Sequence, residues 1–406
     1  MPPAQRHSAY PLARTVVPAT AWAVSTLSAL AVVFAAATAG CNQTEGATYT
    51  VFAGSDGAVS TTEDANPAMA SDAGTSGAET QGANPTTLLP AGDPVEAVFN
   101  STYFGRARDV IQTAQKKLRI VQFEVTQGDG PQLLLAAVIK AKQRGVDVRV
   151  LLDQEVSFNA DALAQLKAAG VDAKYDSAKL RTHAKIVASE QGFVIGSTNW
   201  SSASITKNNE SNVVVRDANA VTQLHSWLDK VWTDSSKNIA MPTGKSSVAT
   251  LYADGGYFNV AGPLVDTAKT RIILCTYGMN IDQVNTQALV TQLAEKLGKA
   301  KARGVQVRVL LDQSGDWGVA GNDINAQSRA FLTKMGLLVR SDPIDIVTHA
   351  KFLVIDGAVI VGSNNWGYGG FQSYHEVGMM TKQPAVVQNF ADYFEKIWAV
   401  STVAVP

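Results

Sequence analysis

The chain has 406 residues, enough for two or three domains of ordinary size. Hydrophobic residues make up 46% and charged residues 17%, which excludes a disordered chain. The 34 basic and 35 acidic residues leave a net charge of −1, so no global electrostatic pull toward nucleic acid or an anionic membrane exists, although a local basic cleft can.

Residues 1–41 read as an export signal. Arg6 and Arg14 give a basic start, a mostly apolar stretch follows from about Val16 to Ala37, and small residues lead to Cys41. Small residues directly before a Cys resemble a bacterial lipobox, in which that Cys is lipidated; Thr38 stands where an aliphatic residue is usual. Ordinary cleavage or an uncleaved anchor are the other readings, and all three place the rest of the chain outside the cytoplasm. Residues 42–93 are rich in Gly, Ala, Ser, Thr, Asn and Asp and cannot bury enough surface to order themselves, so they read as a flexible tether.

Two halves follow, placed at 94–243 and 244–406. In each, an apolar strand (Leu118–Val125; Arg271–Tyr277) leads to an amphipathic helix (Leu133–Arg144; Gln287–Arg303) that an Arg-Gly pair ends. A β-rich run (Val146–Leu152; Val305–Leu311) and a second helix (Ala160–Ala169; Ala326–Met335) come next, then a hairpin and a closing helix. The segment 141–154 matches 300–313 at an offset of 159, and Arg119-Ile120-Val121 matches Arg271-Ile272-Ile273 at 152. Strands alternating with helices predict an α/β fold of two homologous α/β/α sandwich lobes related by a pseudo-two-fold axis. Cys275, inside an apolar run, reads as a buried strand thiol, and two cysteines imply no disulfide framework.

His-Ala-Lys occurs twice, at 183–185 and 349–351, each followed by Gly-Ser-x-Asn-Trp at 196–200 and 362–366, with a constant offset of 166. On a strand, residues i and i+2 share a face, so His183 projects with Lys185 and His349 with Lys351. Facing lobes would gather both pairs around one point. The lysines would neutralise phosphate oxygens and Asn199 and Asn365 would donate hydrogen bonds to them. One imidazole could attack phosphorus while the other protonates the leaving oxygen, each suited by a pKa near about 6.5, and no metal ion or other cofactor is required. Glu210 and Glu376, each 27 residues after the His of its own half, are candidates to orient the imidazoles.

These motifs resemble the phospholipase D superfamily, whose pattern is His-x-Lys, four residues, an Asp, about six residues, then Gly-Ser and a nearby Asn. The second copy supplies His349, Lys351, Asp356, Gly362, Ser363 and Asn365, with five residues between Asp356 and Gly362; in the first, Glu190 stands where Asp is expected. The resemblance implies that Glu190 and Asp356 are structural acids of the hairpin turn, that a phosphohistidine forms, and that His183 is the nucleophile and His349 the general acid.

Ser197 and Ser363 are candidate phosphate contacts or turn residues, Trp200 and Trp366 core residues or channel walls, and His375 a candidate for the cleft rim. His225 reads as solvated on a helix, and the repeated Asp153-Gln154 and Asp312-Gln313 as loop-pinning or substrate-facing. The expected protein is an exported, membrane-tethered phosphodiesterase of phospholipid, with headgroup transfer open to it, monomeric because one chain carries both motifs. A nuclease of the same superfamily and an inactive binding module are the alternatives.

Overall fold

The computed structural model describes residues 92–314 and 323–403. The export signal, Cys41 and nearly all of the tether lie outside the described residues.

The first sheet is built from β1 (Val95–Phe99), β2 (Lys117–Gln122), β3 (Asp147–Leu152), β4 (Asp172–Tyr175), β6 (Ile186–Ser189), β7 (Phe193–Gly196) and β8 (Ser211–Val215), with the two-residue β5 (Arg181–Thr182) outside it. Its spatial order is β1-β8-β7-β6-β2-β3-β4. The second sheet takes β9 (Thr250–Ala253), β10 (Arg271–Thr276), β11 (Gln306–Leu311), β12 (Leu338–Ser341), β13 (Lys351–Ile355), β14 (Ala358–Gly362), β16 (Val377–Thr381) and β17 (Thr402–Val403) in the order β17-β12-β11-β10-β13-β14-β16-β9, while β15 (Tyr374–His375) stands apart. In both, three strands joined by helical crossovers run parallel (β2-β3-β4; β10-β11-β12), and the hairpin strands lie antiparallel beside them. This is the duplicated α/β architecture that the alternating pattern predicts.

Three apolar cores hold the layers. Leu118, Ile120 and Val150 turn outward onto the crossover helices of the first half, and Ile272, Leu274 and Val309 do so in the second. The alternate residues, Val121, Leu151 and Ile186 from one sheet and Ile273, Cys275 and Phe352 from the other, meet in a single shared core. The closing helices Ala218–Thr233 and Pro384–Val400 fill it with Trp227, Phe390, Phe394 and Trp398. Strands covered on both faces need no polar side, which explains their near-continuous apolar runs. Cys275 is buried there as a free thiol. Among the described residues no helix is long and apolar enough to cross a membrane.

The Arg-Gly pairs act as expected and do more. Gly145 (φ 89°) and Gly304 (φ 92°) take the left-handed conformation that ends the helices Asp129–Gln143 and Leu289–Ala302. The preceding Arg144 and Arg303 reach back to cap carbonyls near the end of the neighbouring helix, at Ile111, Gln112 and Ala114 and at Val265.

One alignment needs correction. Lys117 lies opposite Asp147, and Arg271 opposite Gln306, so β2 and β10 correspond at an offset of 154 rather than 152. A two-residue slip keeps every side chain on the same face of a strand, so the apolar pattern could not reveal it.

The turn acids behave alike despite their different lengths. Asp356 (φ 48°) accepts from the backbone N–H groups of Lys269, Thr270 and Arg271, and Glu190 from those of Gln115, Lys116 and Lys117. Each thereby ties the motif hairpin to the start of the adjacent strand. Burial opposes ionisation of Asp356, but the Thr270 hydroxyl and these amides hold its carboxyl at about 2.

Candidate active site

The two halves are stitched together at the motifs themselves. β15 pairs in parallel with β5 of the other lobe, Tyr374 opposite Arg181 and His375 opposite Thr182. The His375 carbonyl accepts from the N–H groups of His183 (3.0 Å) and Ala184 (2.9 Å), which sets the next residue, Glu376, against the His183 ring. His183 Nδ1 lies 2.9 Å from Glu376 Oε1. The reciprocal seam runs from Asn209 N to Val347 O (2.9 Å) and from Asn209 Nδ2 to Thr348 Oγ1 (3.0 Å), and puts both Glu210 oxygens 3.1 Å from His349 Nδ1. Each glutamate therefore orients the histidine of the opposite half, where the sequence pairs it with its own. The spacing of 27 residues could not distinguish the two.

The motif strand also starts later than an i, i+2 argument assumes. β6 begins at Ile186 and β13 at Lys351, so the histidines precede their strands, and the His183 N–H takes its backbone partner from the facing lobe. The lysines turn back on them: Lys185 Nζ donates to the His183 carbonyl (2.5 Å), and Lys351 Nζ to that of His349. Each Lys ammonium lies beside an aromatic ring that its His also touches, Phe123 (4.9 Å) and Tyr277 (5.2 Å). Both lysines act electrostatically on both imidazoles, so the four groups do converge.

Burial dominates their titration. It pushes His183 and His349 down to about 4 despite the attraction of Glu376 and Glu210, well below the ordinary value expected from sequence. Burial also lowers Lys185 to about 8 and Lys351 to about 7, with the glutamates pulling the other way. Glu210 and Glu376 stay below the usual carboxylate range although burial raises them, because His, Lys and Ser partners favour the anion. With the carboxylates ionised, the imidazole proton belongs on Nδ1, leaving each Nε2 free.

Ser197 and Ser363 are fully buried behind the glutamates, not at a phosphate. Ser197 Oγ donates to Glu210 (2.5 Å) and accepts from Ser211 N (2.8 Å), while Ser363 Oγ donates to Glu376 and accepts from Val377 N (3.1 Å). His375 is not at the rim; it is buried, with Nδ1 on Asp254 and Nε2 on the Ser235 carbonyl, and braces the seam. His225 is likewise buried, with Nε2 on the Ser189 carbonyl, rather than solvated. Trp200 and Trp366 are core residues whose indole N–H groups donate to Tyr103 and Tyr257, both at 3.0 Å.

The repeated aspartates pin the residue before each His. Thr182 N donates to Asp153 (2.8 Å), and Thr348 N to both Asp312 (2.8 Å) and Asp342 (3.0 Å). The buried Asn159 and Asn325 brace the aromatic loops: their side-chain oxygens accept from Val125 N and Met279 N, and their amides donate to the Phe123 and Tyr277 carbonyls. Both sit at the 166 offset of the motifs, a signal that could have found them. Asn199 is buried and donates to Glu124 (3.1 Å), a carboxylate that sequence reading missed; Gly278 stands at the equivalent place beside Asn365. A groove of about 1090 Å³ lined by His225, Asp229 and Lys230 holds neither motif.

The family described as "Cardiolipin synthase, PLD-like domain" matches residues 108–232 and 263–398. A mitochondrial cardiolipin hydrolase of Xenopus laevis is 35% identical over 140 residues, 34% of this chain and 63% of that protein. A phospholipase D of Rickettsia bellii is 30% identical over 125 residues, 30% of this chain and 60% of that one. The chain thus spans under two thirds of the length of these relatives. The solved phosphatidylserine synthase of Haemophilus influenzae superposes with a TM-score of 0.62 over 78% of this chain and 89% of its own, at 13% identity, which speaks to fold alone.

Proposed function

Because the chain belongs to the phospholipase D-like family, we propose that it is a phosphodiesterase that cleaves the terminal phosphodiester of a phospholipid to phosphatidate and an alcohol. The observation that carries this reading is the reciprocal pair of His–Glu contacts across the seam, with both lysines inside it. Lys185 and Lys351 neutralise the non-bridging oxygens. His183, neutral and held through Nδ1, attacks phosphorus with Nε2; the phosphorus–alcohol bond breaks, and His349 supplies the proton to the leaving oxygen. A phosphohistidine remains, and water, deprotonated by His349, opens it to release phosphatidate. An alcohol in place of water gives headgroup exchange. A phosphate anion between the lysines raises the affinity of His349 for its proton, which offsets the burial that depresses it.

Two relatives named for a phospholipid activity favour lipid over nucleic acid. So does the pairing of cations: Arg119, Arg181, Arg308 and Arg329 each meet an acid, which leaves less free positive charge for flanking phosphates. The sequence-based export signal and lipidation of Cys41 would hold this single-chain enzyme at a membrane. The test is to assay purified full-length protein on phosphatidylcholine, cardiolipin and single-stranded DNA, with and without chelator. Phosphatidate release that ignores the chelator is expected; cleavage of DNA alone overturns the reading.

A further inference from the structure

The two halves of the site differ in charge beside the motif Asn. Glu124, which follows β2, is 7% exposed and accepts from Asn199 Nδ2 at 3.1 Å, and its charge acts on Lys185. In the other half the corresponding residue is Gly278, where an added Cβ would meet the Asn365 side chain at 3.5 Å, an ordinary contact. A side chain at this position therefore points at the motif Asn in both halves, and only one half has a carboxylate there.

Taking the phosphodiesterase reading as given, we propose that Glu124 is a specificity-determining residue that favours a singly charged phosphodiester over a doubly charged phosphate monoester. Lys185 and Lys351 bring two positive charges; Glu210 and Glu376 are each committed to a histidine. Glu124 adds a carboxylate beside Lys185 and occupies the amide of Asn199, so an incoming anion meets less net attraction at Lys185 than it would with a neutral residue at this position. A diester carries one negative charge and its monoester product carries two. The same repulsion therefore acts twice as strongly on the product, which aids its release and disfavours its rebinding. Burial raises the Glu124 pKa and Glu210 adds to the rise, while Lys185 and the Asn199 amide favour the anion.

The test uses two inhibitors of fixed charge, sulfate as dianion and dimethyl phosphate as monoanion, against hydrolysis of bis(4-nitrophenyl) phosphate by the full chain. Glu124→Gln keeps an oxygen for Asn199 and removes only the charge. Sulfate inhibition should tighten by about 10- to 100-fold, and dimethyl phosphate by about the square root of that factor. Gly278→Glu should do the reverse, weakening sulfate more than dimethyl phosphate, and keeps the idea testable if the first variant does not fold. Equal shifts for both anions would mean that Glu124 only shapes the site, and unchanged inhibition would remove its role altogether; either result overturns the proposal. Wild-type protein that neither hydrolyses the diester nor is inhibited by either anion would sink the phosphodiesterase reading, and this inference with it.

Discussion

Replacing Glu376 with Gln should impair His183, a residue 193 positions away in the other half of the chain. The amide can still accept from Nδ1, but the 2.9 Å contact loses its charge, and the Ser363 hydroxyl loses its carboxylate. A hydrogen bond to a charged partner contributes about 1.5–3 kcal/mol, so kcat/KM should fall by about 10- to 150-fold. Pre-steady-state release of 4-nitrophenol from bis(4-nitrophenyl) phosphate separates attack from hydrolysis, because this leaving group needs little protonation. Glu376→Gln should resemble His183→Ala in the step it slows, and Glu210→Gln should resemble His349→Ala, whichever histidine attacks. If Glu376→Gln sorts with His349→Ala instead, the crossed pairing does not operate in the working enzyme.

Other consequences follow from the same geometry. With an alkyl leaving group, kcat/KM should decline as pH rises above about 4, because His349 loses the proton it must donate. With the nitrophenyl diester it should hold until Lys351 and Lys185 lose theirs at about 7 and about 8; identical profiles for the two substrates would contradict this. Asp342 is held protonated up to about 8, first by burial and then by Asp312, against an ordinary 3.8. The folded state thus keeps a proton that the unfolded chain releases, and stability from this group is lost as pH rises through that interval. Asp342→Asn should gain Tm relative to wild type between pH about 4 and about 8, and a constant difference would refute the shared proton. Tyr103→Phe and Tyr257→Phe should each cost about 1–3 kcal/mol in urea unfolding by stranding a buried indole N–H, and by similar amounts. A loss in one lobe only would break the equivalence of the two.

The sequence by itself determined the duplication, the alternating elements and the four residues His183, Lys185, His349 and Lys351, since these rest on periodicity and a repeated offset. That Glu190 and Asp356 are turn acids came from the family resemblance, not from the residues alone. The sequence could not decide partners that lie across the seam. Whether Glu376 serves His183 or His349 depends on how β15 docks on β5, and a one-dimensional spacing is identical for either choice. The two-residue slip of β2 against β10 escaped for the same kind of reason, as strand periodicity repeats every two residues. The inward placement of Ser197, Ser363, His225 and His375 and the buried carboxylate of Glu124 were equally hidden. Polar residues in a sequence carry no mark of burial; only the shared core, which seals the space between two sheets, decides which of them lose water and must find a partner in protein.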